Sequence, residues 1–128
     1  MSELTFGNNS LVIDSQNYPI SLYATQTCMY DNQGDLMFAT NGINIWNKNM
    51  DTMVNGKGLS PSNYTNSMIN RGLNIPQGII AIPSPKQDNS YYLFHETVKW
   101  TGITGDAPLE LYYSIVDMNG DNGKGEVK

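Results

Sequence analysis

The chain contains one cysteine, one histidine and few charged residues, and each scarcity removes a class of protein. Cys28 has no second cysteine to pair with, so a scaffold stapled by internal disulfides is excluded. Free cysteine usually packs as a small hydrophobe, which predicts a buried thiol in a strand. His95 and Cys28 lie far apart in sequence, and with no acidic residues at matching spacing they supply no four-ligand zinc set. A nucleophile triad needs a serine beside the histidine and a carboxylate behind it, and no GxSxG elbow occurs. His95 is therefore expected to be a structural or surface residue. Phosphate loops of the GxGxxG type before a helix, or GxxxxGK[ST], are missing as well. No cofactor is expected.

Seven Lys and Arg stand against twelve Asp and Glu, a net charge of -5, so no basic stripe exists to displace the counterions of a phosphate backbone. Nucleic acid and anionic membrane surfaces are excluded as partners on that ground. No apolar run approaches the roughly 20 residues of a spanning helix, so membrane insertion is not expected. The opening MSELTFG has neither the charged start nor the apolar centre of a signal peptide. The first turn and the last residues, GEVK, both look cut, and the chain is expected to be a piece of a longer polypeptide.

What is abundant is Gly, Asn, Ser, Thr and Tyr, the composition of a turn-rich all-β protein. A length of 128 residues suits one domain, 1–128. The central stretch is GDLMFATNGINIWN, Gly34 to Asn47. Two runs of strand character flank Asn41-Gly42, a dipeptide suited to a tight type I′ hairpin turn. Leu36, Phe38 and Thr40 alternate with Met37 and Ala39, and Ile43, Ile45 and Asn47 alternate with Asn44 and Trp46. Apolar groups on both faces predict a hairpin inside a packed sheet.

Around it, Leu11 to Ile13 and Ile20 to Tyr30 read as strands, and Asn55-Gly56-Lys57-Gly58 reads as another turn. Residues 59–74 read as a surface loop with one helical turn between Asn63 and Asn70. Gly78 to Ile82, Ser90 to Thr97 and Glu110 to Asp117 resume the strand pattern, with a loop over Gly102 to Pro108. The tetrapeptide Asn-Gly-Lys-Gly recurs at Asn122 to Gly125. Antiparallel meanders resembling two β-propeller blades, 20–58 and 75–128, are the expected architecture.

GDLMFATNGINIWNKNMDTMVNGKGL, then QGIIAIPSPKQDNSYYLFHE, then LYYSIVDMNGDNGKGEV resembles the N-terminal propeller-like region of large secreted or cell-surface modular proteins of Bacteroidetes. The likeness runs in order from Gly34 to Val127. It implies WD40- or quinoprotein-type repeats, a location outside the cell or on its surface, and an interaction module without chemistry of its own. Other proteins or surface glycans are the implied partners. The fragment reading adds self-association through exposed blade faces.

Candidate sites follow from side-chain chemistry. Glu96, Asp106, Glu110 and Asp117 sit near strand ends, but no spacing selects a glycosidase pair. Asp117, Asn119 and Asp121 occupy positions one, three and five of a calcium-loop pattern, which then fails at Asn122 and Lys128. A Gly-rich turn is the simpler reading, with a non-EF-hand calcium site as the alternative. Tyr64 and Trp100 are the aromatic residues expected to be exposed on loops, where they would stack on sugars. Trp46, Tyr92 and Tyr112 are expected in the core. The leading expectation is a non-enzymatic extracellular scaffold or adhesion module. A carbohydrate-binding unit is the alternative, and a propeller hydrolase the third.

Overall fold

A computed structural model of the chain describes the backbone of residues 2–7, 10–15, 20–100 and 106–128, and the side chains of 7, 10–13, 20–97 and 110–128. The strands are β1 (Ser2–Phe6), β2 (Leu11–Ser15), β3 (Thr27–Tyr30), β4 (Leu36–Thr40), β5 (Asn44–Asn47), β6 (Thr52–Lys57), β7 (Ile79–Pro83), β8 (Ser90–Trp100), β9 (Asp106–Asp117) and β10 (Glu126–Val127), and the helix α1 is Asn63–Ser67. The all-β expectation holds. The loop predicted over 102–108 lies partly outside the described residues, and its end, Asp106 to Pro108, belongs to β9.

Eight strands form one sheet in the order β3-β4-β5-β6-β10-β9-β8-β7, and β1 and β2 pair with each other. The strands of 27–57 and those of 79–117 are each an antiparallel meander, as the sequence pattern predicts. The two-residue β10 joins them, parallel to β6 at Val54 and antiparallel to β9 at Val116 and Asp117. The sheet curls until its edge strands β3 and β7 lie within 8 Å of each other, Cα to Cα. In this structure the two halves are thus hydrogen-bonded into one barrel-like sheet.

Period two fills the interior. Phe38, Ile45, Met53, Ile79, Leu93, Val116 and Val127, one from each of seven strands, form the main core with Leu59 and Met118. The stretch 38–47 buries Phe38, Ile43 and Ile45 fully, the first and last of them in this core. Its turn is not type I′, because Gly42 has a positive φ of 83° and Asn41 does not. Instead the Asn41 side chain Oδ1 accepts the Ile43 and Asn44 amides, both at 3.0 Å, an Asx arrangement that asparagine favours.

Residues 59–74 are more than a surface loop. Ser62 caps α1 by accepting the Thr65 amide at 3.0 Å, and Leu73 and Ile75 join Ile43 in a second buried cluster against which Tyr64 and Met68 pack. This cluster plugs one end of the barrel. Thr25, also buried, ties the plug to the segment before β3: its amide donates to the Leu73 carbonyl at 3.0 Å. Its hydroxyl donates to the Ile75 carbonyl at 2.5 Å and accepts the Ile75 amide at 3.2 Å. Among the described residues no helix is long and apolar enough to cross a membrane.

Two local expectations are corrected. Cys28 is exposed, because alternation on the edge strand β3 turns Met29 toward the core and Cys28 away from it. The Asn55-Gly56-Lys57 segment is strand and not turn: Asn55 takes a φ of 56° inside β6, a bulge, and its side-chain amide reaches the Val127 carbonyl at 3.2 Å.

Candidate functional site

The outer face of β7, β8 and β9 carries the largest departure from ordinary surface chemistry. Alternation points Ile79, Leu93 and Val116 inward, so their neighbours point out. Cross-strand register then builds rows: Ile82, Tyr92 and Ile115 form one, and Ile80, Phe94 and Tyr113 the next. Leu111, opposite Glu96, extends the apolar face along β9 beyond the second row. Leu111 is 68% exposed, Tyr113 63%, Ile80 54% and Ile82 44%. Tyr92, Phe94 and Tyr113 form a three-ring cluster with centroids 6.2 to 6.4 Å apart, within the range of favourable aromatic pairing. Surface apolar residues are ordinarily scattered singly, and a contiguous set of this kind marks a contact surface.

A polar cluster borders the face at the end of β9. Lys128 Nζ lies 2.6 Å from Asp117 Oδ2 and 3.1 Å from Glu126 Oε1. The Lys128 hydrogen bond, then the Asn119 amide, hold the Asp117 carboxyl below its ordinary range.

That arrangement defines the fate of the calcium-loop residues. Asp117 Oδ1 accepts the Asn119 backbone amide at 3.0 Å and its side-chain amide at 3.2 Å, while Oδ2 accepts Lys128. Asn119 Oδ1 accepts from Asn89 at 3.3 Å. Asp121 is exposed in a single 3-10 turn with a φ of 45°. The three residues are thus engaged in turn and ion-pair bonds, and among the described residues no group of three His, Cys, Asp or Glu is placed to hold a metal.

Of the aromatic residues singled out from the sequence, Tyr64 is half-buried in α1 against the plug of Ile43, Leu73 and Ile75. The backbone of Trp100 ends β8, and its side chain lies outside the described residues. The structure does not bring Tyr64 into the exposed face. Tyr92 and Tyr112, expected in the core, stand half-buried on the outer face and 41% exposed respectively. Trp46 is half-buried.

His95 does have a serine beside it. Ser60 Oγ is 2.7 Å from Nδ1, and Ser114 Oγ is 3.1 Å from Nε2. Sequence reasoning missed Ser60 because the pair joins two halves of the chain with no local motif. Ser60 is fully buried, adopts a φ of 54°, and gives its carbonyl to the Thr65 hydroxyl at 2.5 Å. The buried Ser60 hydroxyl thus stands on Nδ1, where a triad needs a carboxylate, and the half-buried Ser114 stands on Nε2, so no acid orients the ring toward a nucleophile. Burial pushes the imidazole pKa down, and the ring stacks on Tyr112. This chain of hydroxyls is suited to satisfying a neutral buried imidazole, since each hydroxyl can donate or accept.

At the end of the barrel away from the plug, the hairpin turns enclose an open cleft of about 460 Å³, with Asp31, Asp35, Lys48 and Asn89 around Met37 and Met118. Asp31 Oδ1 already accepts the Gln33 and Asp35 amides at 2.9 Å. Among the described residues no aromatic ring lines the cleft.

The fold and this face together describe an all-β protein on one curled eight-stranded sheet with an uncovered aromatic flank. No protein-family model, curated protein or solved structure matches the chain.

Proposed function

We propose that the chain is a non-enzymatic interaction module, scaffold or adhesive in role, acting outside the cell or at its surface and binding another protein through the outer face of β7 to β9. The single observation that carries this is the contiguous set Ile80, Ile82, Leu111 and Tyr113 around the half-buried Phe94, held by the register of three strands, with the first four left open to water. Burying such a face against a partner removes apolar area from water at about 25 cal/mol per Å² before ordering costs. The blade division 20–58 and 75–128 belongs to the same proposal. Each half holds one meander, and the parallel β6–β10 pair joins them.

The test places a photo-crosslinking residue at Ile80 or Tyr113 of the full chain in its producing cells, with Asn66 on α1 as control. A discrete adduct at both face positions, absent from the control and lost on Phe94→Ser, is the expected result. The same adducts at Asn66, or none at the face, overturn it.

A carbohydrate-binding reading draws support from the polar cleft, whose amide and carboxylate groups suit sugar hydroxyls. A glycan array decides it: competable binding lost on Asn89→Ala places sugars in the cleft, whereas loss on Tyr64→Ala or Trp100→Ala places them on the aromatic residues. A blank array removes the reading.

A further inference from the structure

Two strand edges in this chain carry unspent backbone groups, and their chemistry matches. On β9, the Ile115 amide donates to the Lys128 carbonyl at 2.9 Å and the Lys128 amide to the Ile115 carbonyl at 2.8 Å. Antiparallel ladders alternate, so Ile115, Tyr113 and Leu111 direct N–H and C=O to this edge, while Tyr112 and Ser114 direct theirs to β8. β10 ends at Val127, and no described residue pairs with Leu111 or Tyr113 on this side.

On the N-terminal hairpin the same counting applies. The Gly7 amide donates to the Ser10 carbonyl at 2.8 Å, so Thr5 and Val12 form the next bonded pair. Leu11 and Ile13 therefore direct their backbone groups to the free edge of β2. Their side chains are 50% and 62% exposed, against 68% and 63% for Leu111 and Tyr113. A two-stranded hairpin alone is marginal in water, and a long apolar edge strand invites pairing. The hairpin makes no extensive contact with β9 of its own chain.

We propose that two copies of the chain exchange hairpins, β2 of each pairing antiparallel with the β9 edge of the other, Leu11 opposite Tyr113 and Ile13 opposite Leu111. Each joint forms four backbone hydrogen bonds and sets four apolar side chains on one face. Reciprocity makes the contact two-fold symmetric and closed, so it ends at a dimer. The joint uses the backbone edge of β9, and through the Leu111 and Tyr113 side chains it borders the outer face, but it does not rest on the function proposed above.

Light scattering after size exclusion and amide hydrogen exchange, both over a range of concentration, test it on the full chain. The expected result is a dimer that dissociates on dilution, with the Leu11, Ile13, Leu111 and Tyr113 amides slowed about tenfold or more as it forms. Ile13→Pro and Tyr113→Pro each remove an edge donor that neither hairpin nor β8 uses, and each should be monomeric with Leu93 and Val116 still protected. Mixing the two variants should restore a weaker dimer, because one intact hairpin then meets one intact edge. Where a proline variant unfolds, Ile13→Lys and Leu111→Lys take its place, with the same outcomes read. A monomer whose four amides exchange freely at every concentration overturns the proposal. So does protection that ignores concentration, which would place the pairing within one chain, and so does a dimer indifferent to these substitutions.

Discussion

Thr25 closes the barrel end with one hydroxyl that serves both the amide and the carbonyl of Ile75. Thr25→Ala leaves the Ile75 amide buried without a partner and the Ile75 carbonyl with only the Gly78 amide at 3.5 Å, and a loss of about 1–3 kcal/mol is expected in urea unfolding, because an orphaned buried group keeps its desolvation cost. Thr25→Ser should recover most of it. His95 is the chain's only histidine, and burial holds its folded pKa below the ordinary 6.5. Above that value both states are neutral and stability is complete. As pH falls through it, the unfolded chain takes up a proton that the folded chain refuses, so stability declines until the folded pKa is reached. Urea midpoints should therefore fall between pH 7.5 and pH 5.5, and His95→Gln should flatten that slope whatever it costs at neutral pH. A slope that persists in the variant would assign the effect elsewhere. The sequence could not place these two residues: Thr25 and Ile75, or Ser60 and His95, are joined by folding across long separations, with no periodic signal at either end.

At the level of elements, what was readable was whatever repeats locally. The alternation in 36–47, 90–97 and 110–117 marked β4, β5, β8 and β9, because period two is written into adjacent residues. The Asn41-Gly42 turn was placed correctly and typed wrongly, since its geometry depends on Asn41 bonding the Ser21 carbonyl at 3.1 Å as well as its own turn amides. Gly42 shows the constraint most plainly. Its φ is 83°, and a Cβ there would meet Thr25 Cγ2 at 2.7 Å and Leu73 Cδ1 at 3.0 Å. Gly42→Ala should cost about 2–4 kcal/mol, the sum of left-handed strain and overpacking of the plug. Gly34→Ala, at a φ of 88° with open space around it, should cost only the strain part. Equal losses in thermal unfolding would mean that contact with the plug adds nothing. β6 and β10 were only partly readable, β6 because Asn-Gly-Lys-Gly reads as a turn and β10 because two residues carry little pattern. The exposed face was half legible: Tyr92, Phe94 and Tyr113 were visible as alternating aromatics, but which side of the strand faced the core depends on what packs there.

The whole molecule turns on how far the parallel β6–β10 joint unites the two meanders. Seven strands each place one residue in a single core, which Leu59 and Met118 complete. A core shared in this way should unfold in one step across 27–127, because losing either meander uncovers the other's buried face. Two blades meeting only face to face would instead allow one half to open first. Native-state hydrogen exchange separates these cases. The slowest amides of Phe38 and Ile45 in one half and of Leu93 and Val116 in the other should share one opening free energy that falls in parallel with added denaturant. The amides of β1 and β2, which among the described strands pair only with each other, should exchange at far lower free energy in dilute solution. Different limiting free energies for the two halves would show that the sheet is continuous in hydrogen bonding but not in cooperativity. Glu126 and Val127, among the described residues the only strand residues bridging β6 and β9, would then be where the molecule comes apart.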